Sequence, residues 1–289
     1  MNQSKQLKRN ALSRRSNHVF HTVIFIFLTL WTLSMAFCLF WLVNNSLKEQ
    51  LVYEIDQLSL VKNARWKNYI NAFTELEVKN QNLFRMIGYT LYFTTFNIVG
   101  QITSSLLFSY VLARFKFPGR NFLYFTVIFR MVYSPVGTLA ATYRLYDTLG
   151  LTNSPFMWVT GLTGTANFLV FYTVFRGVSG SYAEAAYLDG AGHIRVFFQI
   201  MVPQVMGVVT AMVIGSFIVN WNEFMSYMLF LPDYPSLALG LYELKTIKEF
   251  EDYPLVLSAV VLSIIPVVIL YASFQQYFIK IDISGGLKG

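Results

Sequence analysis

Charged side chains are scarce in this sequence: Asp, Glu, Lys and Arg make up 13% of its 289 residues, about half the roughly 25% of an ordinary soluble domain. Most of the chain therefore cannot face water. A single cysteine, Cys38, excludes an intrachain disulfide and makes redox chemistry a poor reading. The three histidines, His18, His21 and His193, stand without ligand-type neighbours at metal spacing, which argues against a metal site. No glycine-rich phosphate loop ending in Gly-Lys-Ser or Gly-Lys-Thr occurs, so the chain does not hydrolyse ATP by that route. Neither a solenoid-period repeat nor a low-complexity tract is present.

Apolar surface, by contrast, is abundant. Hydrophobic residues make up 55% and aromatic residues 17%, with a mean hydropathy of +0.48. The few charges cluster. Residues 19–43, 86–113, 148–175, 196–222 and 254–279 carry none, and residues 121–143 are interrupted only by Arg130. A bilayer core takes about 20 apolar residues per helix, and backbone groups in lipid must be satisfied within the segment. The expected fold is thus an all-α integral membrane protein of six transmembrane helices. The first apolar run exceeds the roughly 7–15 residues of a cleavable signal peptide and lacks a small-residue cleavage pattern, so it is expected to remain as an anchor.

Basic residues set the expected orientation. Lys5, Lys8, Arg9, Arg14 and Arg15 crowd residues 1–18, and Arg114, Lys116 and Arg120 crowd the link between the second and third runs. The positive-inside rule puts both on the cytoplasmic side, together with a C-terminal tail at 280–289. The loops 44–85 and 231–253, which hold most of the acidic residues, then fall outside. Residues 86–279 form the expected permease core of five helices. The net charge of +7 is a topology signal, and without a separate basic soluble domain it gives little support to nucleic-acid binding.

The link between the fourth and fifth runs, residues 180–203, carries the most information. Ser181 with Glu184 three residues on has the spacing of a capping box, and Glu184 suits the positive end of a helix dipole. Asp189-Gly190 and Gly192 are turn formers, and a second short helix around 194–201 leads to Pro203, which fits the start of the fifth span. Two brief surface helices joined by a tight turn are expected.

Within this link, Glu184-Ala185-Ala186, Gly190, Ile200 and Val202-Pro203 resemble the EAA motif of bacterial ATP-binding-cassette importer permeases, with valine where leucine usually precedes the proline. The resemblance covers nearly the whole chain. Asn68 to Phe73 looks like the N-Y-x-x-x-F segment, Leu149 to Asn153 like the L-G-L-x-N turn, and Trp221-Asn222 like the W-N site. Leu237 to Tyr242 is similar to the T-L-P-x-G-L-Y element, with Ala238 in place of proline. Gln275 to Phe278 and Gly285-Gly286-Leu287-Lys288-Gly289 resemble the ending of MalG-type carbohydrate permeases. Met206 stands where a second proline often follows the motif.

The resemblance implies a division of labour. It makes the chain a permease subunit in the bacterial plasma membrane, partnered by a second permease, two ATPase subunits and an extracytoplasmic sugar-binding protein, for oligosaccharide uptake. ATP and Mg would belong to the ATPase, leaving no cofactor here. ATPase coupling would fall to Glu184, Ala185, Ala186, Tyr187, Leu188, Asp189, Gly190, Ala191 and Gly192, the two alanines permitting close approach. Gly285 to Gly289 would reach the ATPase pair, and Leu239, Gly240, Leu241 and Tyr242 would meet the binding protein.

Arg130, Trp221, Asn222 and Glu223 are candidate cavity residues. A charge at mid-membrane is costly unless paired or wet, so Arg130 either pairs structurally, with Glu223 as one partner, or contacts an acidic substrate. The aromatics, among them Tyr133, Tyr143 and Trp158, fit a membrane-interface belt. An autonomous secondary transporter or channel is the rival reading. Such a mechanism favours intramembrane carboxylates or an obvious repeat.

Overall fold

The computed structural model describes residues 2–132, 138–164, 166–246 and 252–285, with side chains over 20–132, 138–164, 166–244 and 252–274. Among the described residues, three helices are long and apolar enough to cross a membrane: Phe20–Ser46, Leu83–Arg114 and Tyr253–Phe274. They belong to α1 (Asn2–Ser46), α4 (Leu83–Arg114) and α14 (Tyr253–Gly285). A fourth candidate is a bent pair, His193–Gln204 followed by Met206–Trp221, with an angle of 78° between its halves.

Besides this bent pair, two more of the expected six helices are broken. Residues 121–143 yield α5 (Arg120–Val132) and α6 (Leu139–Thr148), with 133–137 outside the described residues. Residues 148–175 yield a 3-10 segment, Pro155–Thr163, and α7 (Phe168–Gly177). In the second of these runs glycine and proline punctuation, to which hydropathy is blind, causes the break. Gly150 has a φ of 66° and closes α6, with its N–H on Asp147 O and the Leu151 N–H on Tyr146 O. This paired bond pattern is a glycine C-cap. Pro155 opens the 3-10 segment after Ser154, whose hydroxyl accepts from the Phe156 N–H. Non-helical backbone at membrane depth persists only where protein or a cavity covers it, and α4 supplies that cover.

The chain divides into two compact units. The first unit comprises Met1–Ile70 and Glu251–Val261. Here the end of α1 is locked by asparagines. Asn68, buried, donates to Ser46 O, a carbonyl that the helix C-terminus leaves open, and to Lys48 O just beyond it. Asn44 donates to Ser59 O and accepts from the Val61 N–H, pinning the loop after α2 (Gln50–Ile55). Lys48 is only 1% exposed and donates its ammonium to Asp56 O. Burial lowers its pKa, against the opposing pull of the Asp56 charge.

The second unit comprises Asn71–Phe250 and Leu262–Gly289. After α3 (Lys67–Thr74) comes a two-stranded antiparallel hairpin, β1 (Glu77–Val78) and β2 (Gln81–Asn82), a small departure from an all-α fold. Its turn residues Lys79 and Asn80 both have positive φ, as a two-residue hairpin turn of the favoured hand requires. Asn82 then caps α4 through the Arg85 N–H.

Helix α4 is the axis of this unit and packs most heavily against the 3-10 segment, α7 and the helix Met206–Trp221. Its crossing with the 3-10 segment is laced with glycine. A Cβ on Gly161 would lie 2.7 Å from Asn97 O, one on Gly164 would lie 2.9 Å from Gln101 Cγ, and one on Gly100 would touch Leu162. By contrast, a Cβ on Gly215 would meet nothing within 4 Å, so that glycine is not required by packing against the described residues.

Candidate functional site

The link expected to carry the chemistry forms α8 (Ser181–Leu188) and α9 (His193–Val196), which runs through a π turn, Phe197–Met201, into α10 (Val202–Gln204). The chain then bends into α11 (Met206–Trp221). Ser181 is not the N-cap. Gly180 precedes the helix and accepts from the Ala183 and Glu184 N–H groups, while the Ser181 hydroxyl pairs with that of Ser179. The capping-box reading fails because the turn begins one residue early. The exit is as expected: Gly190 has a φ of 79°, its N–H bonds Tyr187 O, and the Ala191 N–H bonds Ala186 O. That is the same glycine cap that ends α6.

The segment has two unlike faces. Ala186, Val196, Phe197 and Met201 are buried in one cluster with Tyr110 of α4, Phe175 of α7 and Val209 of α11. Burying each large side chain contributes about 1.5–3 kcal/mol, so the base of the segment is fastened to three helices. Ala186 packs within this subunit and is 6% exposed.

On the other face, Leu188 is 89% and Ile194 77% exposed, and Phe198 is also exposed. Glu184, Ala185, Asp189, Gly190 and Gly192 are exposed as well, and Ala191 is half-buried. The Tyr187 hydroxyl meets His193 Nδ1 at 3.0 Å, and the His193 ring also packs edge-on against Phe115. Together these tie both short helices to the end of α4.

A cavity of about 420 Å³ opens elsewhere in the same unit. Phe93 and Asn97 of α4, Thr142 and Tyr146 of α6, Met157, Trp158 and Thr160 of the 3-10 segment, Asn220, and Glu223 to Leu231 supply its walls. Helix α12 (Met225–Phe230) forms the last part of that lining. Glu223 accepts from the Ser226 N–H through one carboxylate oxygen.

Of the four candidate cavity residues, only Glu223 lines this space. Trp221 is 3% exposed and donates its indole N–H to Ser263 O, and the Asn222 amide donates to Ile218 O within its own helix. Arg130 does not pair with Glu223. It donates to Thr163 O at 2.7 Å and lines a separate cavity of about 350 Å³ with Ser104, Ser105 and Thr126. Trp158 forms part of the wall of the first cavity. Asn97 four residues after Phe93 was a one-face signal on α4 that the sequence held and hydropathy hid.

The outer element 237–242 falls in α13 (Leu237–Thr246). Leu239 is fully buried, and a Cβ at Gly240 would overlap the Met86 thioether. Those two residues are packed into the core of the unit. Leu241 is half-buried, and Tyr242 is exposed and stacked on Phe224. Gly285 ends α14, and Gly286, Leu287, Lys288 and Gly289 lie outside the described residues. The L-G-L-x-N turn gains a physical reason. Asn153, with φ of 53°, donates its amide to Asp233 Oδ2 and accepts from the Asp233 N–H.

Apolar helices, broken backbone packed on α4, a polar cavity beside it and a fastened surface knob define a polytopic membrane transport protein. The family model for binding-protein-dependent transport system inner membrane components matches residues 9–280. The chain is 26% identical over 283 residues to the probable ABC transporter permease protein YurM of Bacillus subtilis (strain 168), covering 96% of this chain and 91% of that one. It is 27% identical over 277 residues to the diacetylchitobiose uptake system permease protein NgcG of Streptomyces coelicolor, covering 94% and 89%. Its fold matches, with TM-score 0.79 at 22% identity, a chain of a bacterial ABC transporter involved in the import of alginate, covering 91% of this chain and 98% of that one.

The chain belongs to the family of binding-protein-dependent transport system inner membrane components. It is thus a membrane permease subunit of an ATP-binding-cassette importer, a family that works with an ATPase and a binding protein and is not itself enzymatic. The autonomous secondary transporter finds no support in this family.

Proposed function

We propose that this chain and a second permease subunit form the membrane pathway of an oligosaccharide importer, and that residues 184–192 dock onto one of two ATPase subunits. In this reading the tail 1–18 and the link 180–203 face the cytoplasm, as their basic and motif residues suggest. ATP and Mg act on the ATPase chain, and closure of that chain moves the knob and its three backing helices as one body. The observation that carries the reading is the two-faced knob: Leu188 and Ile194 project, while Ala186 and Val196 anchor in the core. The name of the diacetylchitobiose relative favours an oligosaccharide cargo.

Thiol crosslinking tests the docking. In a Cys38→Ser background, Leu188→Cys and Ile194→Cys should crosslink to the ATPase in solubilised complexes, and Ala186→Cys should not. Labelling of the Leu188→Cys thiol by an impermeant reagent added outside intact cells would reverse the orientation and sink the reading.

A further inference from the structure

The cavity beside α4 has a chemistry that selects among cargoes. Its walls combine aromatic rings, Trp158 and Tyr146 among them, with amide, hydroxyl and carboxylate groups. Aromatic faces suit the C–H surfaces of a sugar ring, and the polar groups suit its hydroxyls. Several polar groups have capacity to spare. The side chains of Asn97 and Thr142 make no hydrogen bond among the described residues, and Glu223 uses one oxygen on the Ser226 N–H.

Charge then narrows the class. Among the described residues, Glu223 is the one carboxylate that lines the cavity, and neither lysine nor arginine lines it. Arg130, the cation nearest in kind to a carboxylate receptor, is in the other cavity and bonded to Thr163 O. A carboxylated sugar entering here would meet Glu223 with no cation to offset the repulsion. A neutral sugar would instead donate hydroxyls to that carboxylate, a charge-assisted bond.

We propose that this cavity, between Asn97, Thr142, Trp158 and Glu223, binds one ring of a neutral oligosaccharide and rejects uronates. The proposal rests on the importer reading and adds the site and the charge class of the cargo.

The test uses the full chain assembled with its partner subunits, carrying Cys38→Ser with Thr142→Cys, or Ser226→Cys should the first not assemble. The rate at which a methanethiosulfonate reagent modifies the introduced thiol is followed with cellotriose, maltotriose, diacetylchitobiose or trigalacturonate present. At least one neutral sugar should slow labelling several-fold, and trigalacturonate should not. Adding Glu223→Gln should weaken the neutral protection about tenfold, the value of one hydrogen bond to a charged group. Protection by trigalacturonate at least equal to that by the neutral sugars, or no protection by any neutral sugar, overturns the proposal. Co-purification of the ATPase in the same preparation judges the importer reading separately, so the two failures are distinguishable.

Discussion

Gly190 offers the cleanest perturbation of the knob. It sits at φ 79° at the end of α8, and a Cβ there would meet nothing within 4 Å. Any substitution therefore acts through backbone strain alone, without a packing term. A left-handed conformation costs an L-residue other than Gly or Asn roughly 1–2 kcal/mol, and more for a β-branched one. The undocked segment can relieve that strain by opening the turn, which lowers the fraction poised to dock. Apparent affinity falls by the same fraction, so Gly190→Ala should weaken ATPase binding by at most about 5- to 30-fold. Gly190→Val should do worse and Gly190→Asn better.

Gly192 provides the control. Its φ is −73° and its surroundings are open, so Gly192→Ala should bind almost as the parent does. The assay is titration of the purified ATPase onto the permease complex in detergent, with expression and thermal midpoint checked for each variant. Equal affinity for Gly190→Val and the parent would refute the claim that this turn positions the docking surface.

Four further expectations follow from the packing and the titrations. Asn68→Ala removes two bonds at the end of α1 and should lower stability by about 2 kcal/mol, read as a fall in thermal midpoint. Trp221→Phe loses the bond to Ser263 O, about 1 kcal/mol, yet should leave the KM for uptake unchanged, because Trp221 is not in the cavity wall. Gly161→Ala must push the 3-10 segment off Asn97 O and should cost about 1–3 kcal/mol, whereas Gly215→Ala should gain up to about 1 kcal/mol from helix propensity. Lys48 has a folded pKa below its ordinary 10.5, so between those two values the unfolded loop holds more protons than the folded one. Stability then rises with pH across that window, and comparison of the thermal midpoint with Lys48→Met should show the slope lost in the variant.

Much of the site was legible in the residues. The low charge and the long uncharged runs require a membrane, because a backbone in lipid can satisfy itself only within a helix. The spacing from Glu184 to Pro203 marked the knob, and the Asp189-Gly190 turn was readable because few residues other than glycine take its φ. Less was legible in motifs whose reason is a distant partner. Asn68 was a letter in a pattern until Ser46 O and Lys48 O appeared beside it. The capping role assigned to Ser181 failed because helix starts are set by competing local bonds that differ little in energy.

By itself, then, the sequence determined that this chain lives in a membrane, where its runs lie, and which loop bears the motif, since these depend on local composition and spacing. Only the tertiary structure decided which side of each element is inward. Ala186 and Leu239 were placed in the core, Leu188 at the surface, and Glu223 and Arg130 in different cavities. The physical reason is that burial and pairing are properties of contacts between segments far apart in the chain. Asn97 and Trp158 line one cavity because α4 crosses the 3-10 segment at glycines small enough to let the backbones meet.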